Sequence, residues 1–262
     1  MHNVPMSRIR LVCVDVDGTI SDRFREPTVP GAAAALAKVR ERRDLRLVTN
    51  ATSLSHGALA EMLRQQGLLA EPGELVTPAT AARRVLTERG HDSGLLLVDE
   101  AAREDFGWFR EDSSGSAVLL ATEGHGLAIA DLQPAFRLLH DGASLYTLQQ
   151  NRYFRKGNDL VTDLGPVAAF LAYASDREVA NLGKPSRLLF ENLARDVCCS
   201  LDEAVMVGDD AEFDASGSVS IGMSGVLVKT GKYREGDERR FTPAPTATLD
   251  SVADLPGWLG LA

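Results

Sequence analysis

Residues 11–22 read LVCVDVDGTISD, and this stretch combines the features that decide the fold. Its first half is a nearly continuous apolar run, typical of a parallel strand that is buried on both faces. Asp15 and Asp17 follow this run, and Gly18 and Thr19 then turn the chain sharply out of the strand. A carboxylate at the end of a buried strand is costly to desolvate unless a partner compensates its charge. The stretch therefore predicts a buried strand that leads into a polar site.

Short β-rich segments alternate with amphipathic helical segments along the whole chain, which is typical of α/β folds built from β-α-β units. The β-rich segments predict strands over residues 10–14, 45–49, 75–77, 95–98, 117–122, 144–148, 179–182, 204–208 and 225–228. Apolar residues at helical spacing predict helices over residues 31–43, 54–67, 79–90, 129–142, 164–176 and 184–197. The expected fold class is α/β, with parallel strands and helical crossovers.

Length, charge and cysteine content narrow the class of protein. The 262 residues suffice for one large or two small domains, and the formal net charge of −9 argues against nucleic acid and anionic membranes as partners. No apolar run approaches the ~18 residues of a membrane span, and the N-terminal residues lack the features of a secretory signal. We therefore expect a cytoplasmic protein. The cysteines show no metal-binding spacing and are expected to be small buried hydrophobes.

Three further segments place polar side chains where predicted strands end. LRLVTN (45–50) ends in a hydroxyl and an amide, NLGKPSRLLF (181–190) carries a lysine after a glycine, and EAVMVGDDAEFDASG (203–217) runs into three carboxylates. Taken singly, a Thr-Asn pair or a lysine at such a position is an ordinary turn or surface feature. The carboxyl ends of parallel strands, however, meet at one edge of a sheet. At that edge we expect, with Asp15, the side chains of Thr49, Asn50, Lys184, Asp209, Asp210 and Asp214.

Several carboxylates at one edge predict a bound cation. They would repel one another strongly without one. Mg²⁺ prefers oxygen ligands, usually a few carboxylates completed by water and a substrate phosphate. We predict a Mg²⁺ site formed by Asp15, the backbone carbonyl of Asp17, and Asp209, with Lys184 neutralising the remaining charge. Asp214 is expected either to bind the ion directly or to hold a metal-bound water or Lys184.

These motifs, in this order, resemble those of the haloacid dehalogenase superfamily of aspartate-nucleophile phosphohydrolases. The segments GKPSRLLFENL (183–193) and IGMSGVLVKTGKYREGDE (221–238) extend the resemblance to its NagD-type branch, subfamily IIA, over essentially the whole chain. The resemblance implies a Rossmann-like, doubly wound core formed by residues 1–79 and 181–262. It further implies an inserted α/β type-2 cap domain over residues 80–180, which acts as a lid and sets substrate specificity.

The resemblance also implies roles for the site residues. Asp15 attacks phosphorus and forms an aspartyl-phosphate, and Asp17 protonates the leaving group and then activates water. Lys184 bridges the nucleophile and the phosphate as a point charge. The phosphate oxygens are expected to be held by the hydroxyl and backbone amide of Thr49, by Asn50, and by the amide of Gly18.

The cap segment NRYFRKGND (151–159) is the best candidate for substrate recognition, because Arg152 and Arg155 gather positive charge in an acidic protein. On an alternating strand some of these side chains must instead face solvent. Members of this branch form dimers through the cap, so the resemblance also allows a homodimer of this kind.

We thus expect a Mg²⁺-dependent phosphatase for a small phosphorylated molecule, since a large cap excludes macromolecules. A phosphotransferase or mutase, and a phospho-accepting signalling module, are the alternatives. Asp17 and the additional ~100 residues of cap argue against the signalling module, whose receiver fold has neither. The sequence does not identify the substrate. Compounds with P–N bonds and pyrophosphate are among the candidates, because members of the branch act on them.

Overall fold

The computed structural model describes residues 8–22, 25–156 and 159–261, without the side chains of residues 25–27 and 155–156. Its contacts divide the chain into two compact units. The first unit consists of Met1–Thr49, Gly57–Val76 and Lys184–Ala262, and the second of Asn50–His56 and Thr77–Gly183. None of the helices within these described ranges is long and apolar enough to cross a membrane.

The strands and helices alternate along the chain. The strands are β1 (Leu11–Asp15), β2 (Ser21–Asp22), β3 (Arg25–Thr28), β4 (Asp44–Val48), β5 (Leu75–Val76), β6 (Ser93–Val98), β7 (Arg110–Glu111), β8 (Ala117–Ala121), β9 (Ser144–Thr147), β10 (Tyr153–Lys156), β11 (Asp159–Thr162), β12 (Val179–Asn181), β13 (Ala204–Gly208), β14 (Ser224–Val228) and β15 (Ala247–Leu249). The α-helices are α1 (Ala32–Arg40), α2 (His56–Gln65), α3 (Pro78–Glu88), α4 (Gln133–His140), α5 (Leu164–Ser175), α6 (Arg187–Asp196), α7 (Gly217–Ser220) and α8 (Leu255–Trp258).

The first unit is built on a six-stranded sheet in the order β15-β14-β13-β1-β4-β5. All of its pairs are parallel, and β1, β13 and β14 are buried along their whole length. The strand order reverses between β1 and β13, because the chain continues from β1 to β4 on one side and from β13 to β14 on the other. In open α/β sheets, ligands bind outside the carboxyl ends of the strands at such a switch point.

The second unit contains its own five-stranded parallel sheet, in the order β12-β9-β8-β6-β7. Helices α4 and α5 bury their apolar faces against β8 and β9, with Leu139 and Leu171 fully buried between the layers. A separate antiparallel hairpin joins β10 to β11, with Tyr153 opposite Thr162.

The predicted α/β fold class is confirmed, and each predicted strand is present with its ends within two residues of the prediction. The short strands β2, β3, β7 and β15 and the hairpin β10-β11 were not predicted. They are two to four residues long, too short to show a clear hydrophobic period.

Candidate active site

The carboxyl end of β1 places Asp15 at the switch point. Asp15 is the last residue of the strand, lies opposite Val48 in β4, and is only 5% exposed. The chain then makes a tight turn in which the amides of Ile20 and Ser21 both donate to the carbonyl of Val16, at 3.1 Å each. This turn brings the hydroxyl of Thr19 back to Asp15, whose Oδ2 accepts it at 3.2 Å.

The carboxyl end of β13 supplies the other acids. Asp209 follows the strand directly, and Asp210 accepts the amides of Glu212 and Phe213 at 3.0 Å each, which starts the short helix Ala211–Ser216. The helix carries Asp214 back towards the strand end, where its Oδ2 accepts the amide of Asp210 at 3.3 Å. The local hydrogen bonding therefore directs two carboxylates of GDDAEFD to the same place.

Asp15, Asp209 and Asp214 form a three-carboxylate cluster in which one oxygen of each lies within 4.8 Å of the others. Asp209 and Asp214 are each 1% exposed. Lys184, also buried, is ion-paired with Asp15, and its Nζ lies 2.8 Å from Asp214 Oδ1. The structure thus brings together four residues from three separate segments of the sequence, each of which was predicted for the site.

Burial and mutual repulsion govern the ionisation of this cluster. Burial, with the charge of Asp15, raises the pKa of Asp209 to about 8. Burial also raises the pKa of Asp214 to about 7, although Lys184 acts in the opposite direction. Burial alone would lower the pKa of Lys184, but the charges of Asp15 and Asp214 outweigh it, and the pKa is raised. The lysine therefore stays charged, while the carboxylates need a further cation to ionise together.

The residues fit a hard divalent ion such as Mg²⁺. The cluster offers only oxygen donors, which Mg²⁺ prefers. Among the described residues Asp209 Oδ1 is buried without a hydrogen-bond partner, and an unpaired buried carboxylate oxygen is costly unless something binds it. The side chain of Asp17 is not in this cluster. Its two predicted roles, as a metal ligand through the backbone carbonyl and as a general acid and base through the side chain, stay predictions.

Thr19 is a site residue that the sequence analysis did not single out. Its buried hydroxyl donates to Asp15 Oδ2 at 3.2 Å and accepts the amide of Asp209 at 3.1 Å. It therefore links the ends of β1 and β13 by hydrogen bonds. The available signal was its place in the DGT turn, directly after the aspartate pair.

Two backbone amides that were predicted to bind phosphate donate hydrogen bonds within the protein, and their contacts with phosphate stay predictions. The amide of Gly18 donates to the carbonyl of Ser21 at 2.8 Å, within the turn after β1. The amide of Thr49 donates to the carbonyl of Val76 at 3.1 Å, as part of the β4-β5 pairing. Thr49 is buried at the end of β4, and its hydroxyl is also predicted to bind phosphate.

The other predicted substrate contacts lie in the second unit. Asn50 belongs to its short segment Asn50–His56, and Arg152 is an exposed residue just before β10. The side chain of Arg155 lies outside the described residues. The roles predicted for these three residues stay predictions.

Comparison with known proteins assigns the family. A family model for haloacid dehalogenase-like hydrolases matches residues 12–106, and a second, HAD-hydrolase-like model matches residues 181–255. The chain is 38% identical over 245 residues to haloacid dehalogenase-like hydrolase domain-containing protein 2 of Homo sapiens, covering 93% of each chain. This chain therefore belongs to the haloacid dehalogenase-like hydrolases, as the motifs indicated.

A second relative and a solved structure are also similar to this chain. Phospholysine phosphohistidine inorganic pyrophosphate phosphatase of Bos taurus is 30% identical over 254 residues, which cover 95% of this chain and 93% of the relative. The solved structure of NagD from E. coli K-12 superposes with a TM-score of 0.80 at 22% identity, over 94% of this chain and 98% of NagD. The fold is thus NagD-like, as the sequence resemblance predicted.

Proposed function

We propose that this hydrolase is a Mg²⁺-dependent phosphatase that acts on a small phosphorylated metabolite through an aspartyl-phosphate on Asp15. The observation that carries the proposal is the buried cluster of Asp15, Asp209 and Asp214 around Lys184, at the switch point of the first unit's sheet. One nucleophilic carboxylate with a fixed lysine, beside acids that need a cation, suits phosphoryl transfer, where positioning and charge stabilisation supply most of the catalysis.

Asp209, Asp15, the backbone carbonyl of Asp17 and, directly or through water, Asp214 would hold the Mg²⁺. Bound there, the ion would neutralise the carboxylates and polarise the phosphoryl oxygens as a Lewis acid. Within the part of the chain that the structure describes, Asp209 Oδ1 has no hydrogen-bond partner, which supports this assignment.

The reaction would proceed in two steps on the protein's own residues. A carboxylate oxygen of Asp15 forms a bond to phosphorus as the bond to the leaving group breaks, and Asp17 gives its proton to the departing oxygen. Water then attacks phosphorus, Asp17 accepts its proton, and the bond to Asp15 breaks. Lys184 and the Thr19 hydroxyl hold the two oxygens of Asp15 before the attack.

Residues 1–79 and 181–262 would form the catalytic core, and residues 80–180 the cap that selects the substrate. The proposed phosphate and substrate contacts are Gly18, Thr49, Asn50, Lys184, Arg152 and Arg155. The name of the bovine relative includes phospholysine, phosphohistidine and pyrophosphate, so P–N bonds and pyrophosphate belong beside phosphomonoesters among the candidate substrates.

We further propose a cytoplasmic protein that dimerises through the second unit. Exposed large apolar side chains in the described residues all fall in that unit: Leu54, Ile129, Tyr153, Leu160, Phe170 and Tyr173. Tyr173 on α5 is the most exposed of these side chains, at 92%, and covering an exposed apolar side chain with a partner surface is favourable. Light scattering should find a dimer that the Tyr173→Glu variant converts to a monomer; a monomeric wild type would refute this part.

Phosphate release from a panel of compounds tests the proposed function. The panel contains phosphomonoesters, phosphoramidates and pyrophosphate, each assayed with Mg²⁺ and with a chelator. Wild type is compared with Asp15→Asn and, as a matched control, with Asp250→Asn, whose carboxylate is 83% exposed and pairs with Lys229.

We expect Mg²⁺-dependent release that is lost in Asp15→Asn and retained in Asp250→Asn. Phosphoryl transfer to an added alcohol in place of water would favour the phosphotransferase alternative. Release that persists in Asp15→Asn would refute the proposed nucleophile, and an absence of release from every compound would favour a phospho-accepting module.

A further inference from the structure

The turn formed by residues 230–232, which follows β14, packs directly against Asp209. Lys229 continues the sheet by donating its amide to the carbonyl of Leu249 at 3.0 Å. The chain then turns back, and the amide of Tyr233 donates to the carbonyl of Thr230 at 3.0 Å. This 230–232 turn has no part in the mechanism described above.

The backbone of the 230–232 turn fixes one oxygen of Asp209. The amide of Lys232 donates to Asp209 Oδ2 at 2.6 Å. The other oxygen, Oδ1, is buried and has no hydrogen-bond partner among the described residues. One oxygen is therefore held in place, while the other is left for a ligand.

Gly231 is the residue that allows this approach. Its φ is +52°, and a Cβ built on it would lie 2.0 Å from Asp209 Oδ2 and 2.6 Å from the Cα of Gly18. Any other side chain would therefore displace the Asp209 carboxylate or the turn after β1. The close packing of Gly231 explains why the Lys232 amide can reach the carboxylate.

We propose that the 230–232 turn is a positioning element for the metal site, in which Gly231 and the Lys232 amide orient Asp209 so that Oδ1 points to the ion. The inference rests on the proposed function, because it assumes that Asp209 is a ligand for Mg²⁺. Groups that orient a ligand through its second atom commonly tune metal affinity. The assignment concerns the backbone: the Lys232 side chain is 62% exposed, and its Nζ lies 3.3 Å from Asp210.

Mg²⁺ binding to the purified full-length chain, measured by titration calorimetry without substrate, tests the proposal. The variant is Gly231→Ala, and the matched control is Gly236→Ala. Gly236 also has a positive φ, of +94°, but a Cβ there would meet nothing within 4 Å. Both substitutions place alanine in a strained backbone conformation, whereas only Gly231→Ala would disturb Asp209.

We expect Gly231→Ala to weaken Mg²⁺ binding by about 10- to 100-fold, the usual effect of disturbing a group that orients a ligand. Gly236→Ala should bind Mg²⁺ as wild type does. Equal affinities in the two variants, or a wild type that does not bind Mg²⁺, would overturn the proposal.

The calorimetric result separates this inference from the proposed function. If wild type and Gly231→Ala differ in Mg²⁺ affinity but wild type releases no phosphate, the proposed function fails and the positioning role stands. If phosphate release requires Mg²⁺ and both glycine variants bind it equally, the positioning role fails alone.

Hydrogen exchange provides a second test should Gly231→Ala not fold. The Lys232 amide should exchange slowly in wild type and faster in Asp209→Ala, because its acceptor is gone. Exchange at the same rate in both proteins would overturn the proposal.

Discussion

Both units contain a parallel sheet, yet the carboxylates near the strand ends have different surroundings in the two units. In the second unit, Asp99 follows β6, accepting the Thr122 hydroxyl through one oxygen and the Glu123 amide, at 3.0 Å, through the other. Each oxygen of this carboxylate thus has a neutral donor from the same unit.

Asp163, just before α5, is also held by neutral donors. Its Oδ1 accepts the amide of Leu164 at 2.8 Å and the side-chain amide of Gln149. Burial still raises the pKa of Asp163, although these hydrogen bonds act against the increase. The carboxylate serves as a helix cap, a structural role.

The first unit instead places three carboxylates together, with Lys184 between two of them. One oxygen of Asp209 has no hydrogen-bond partner among the residues described. Neutral donors satisfy single, separated acids, whereas clustered acids require cations. The difference teaches that an aspartate at the end of a strand indicates a functional site only when neutral hydrogen-bond donors of its own unit do not already bind its carboxylate.

The largest expected effect is that of Lys184→Met, which removes the buried cation from the cluster. We expect phosphate release to fall by about 10²- to 10³-fold. Leaving two buried carboxylates without their partner should also cost about 3 kcal/mol of unfolding free energy at neutral pH. Urea denaturation and steady-state assays measure both effects.

Lys229→Met is the control for that prediction. Lys229 pairs with Asp250 at 2.7 Å in the same unit, but both side chains are exposed, and exposed pairs contribute little to stability. Similar losses in the two variants would mean that the cluster is no more critical than a surface ion pair.

The second prediction compares Asp209→Asn with Asp99→Asn. Asp209→Asn should abolish most of the rise in melting temperature that Mg²⁺ produces, because it removes a ligand. Asp99→Asn should keep that rise but lose about 1 kcal/mol of stability, since one of its neutral donors loses its acceptor. Thermal unfolding with and without Mg²⁺ measures both; the reverse pattern would exchange the roles assigned to the two sheets.

The third prediction concerns pH in the metal-free protein. The raised pKa values of Asp209, about 8, and Asp214, about 7, exceed the 3.8 expected in the unfolded chain. Between pH 3.8 and about pH 8, the native state therefore binds more protons than the unfolded chain. The free energy of unfolding should fall as the pH rises through this range. Lys184, whose pKa is raised, stays charged throughout and adds no slope.

Urea unfolding in a chelator, from about pH 5 to about pH 8, measures this slope. Asp209→Asn should reduce it, and Asp99→Asn should leave it unchanged. A metal-free stability that increases with pH over this range would contradict the account.

The smallest effect is on thiol reactivity, which reports whether the sheet beneath the cluster excludes solvent. Cys13 lies in β1, fully buried, and burial raises its pKa to about 12. Cys198 is exposed. A thiol reagent should modify Cys198 in the native protein and Cys13 only after unfolding; rapid native labelling of Cys13 would show that the strand is open to solvent.

The cysteines also show where sequence analysis was wrong. All three were expected to be buried, but only Cys13 is; Cys198 is exposed with a φ of +51°, and Cys199 is partly exposed. Cys13 lies within a continuous run of apolar residues, and such a run indicates a buried strand. The other two follow the end of α6, where the backbone path rather than residue type decides exposure.

Much of the site was predictable because its acids interrupt apolar strands. Asp15 ends the apolar strand β1 and Asp209 follows the apolar strand β13, and that contrast is visible in the sequence. The contacts made by backbone amides were not predictable. One example is the amide of Lys232, which donates to Asp209. Others are the amides of Gly18 and Thr49, which donate within the turn and the sheet. These contacts depend on the path of the backbone, which the side-chain pattern does not reveal.

The central claim is most directly tested by locating the phosphoryl group during turnover. The best substrate of the panel, labelled at phosphorus, is mixed with enzyme and Mg²⁺, quenched with acid within one turnover, and digested. We predict a hydroxylamine-labile phosphoryl group on the peptide that contains Asp15, and none in Asp15→Asn. Label on another residue, or turnover with no labelled protein at any time, would contradict the account.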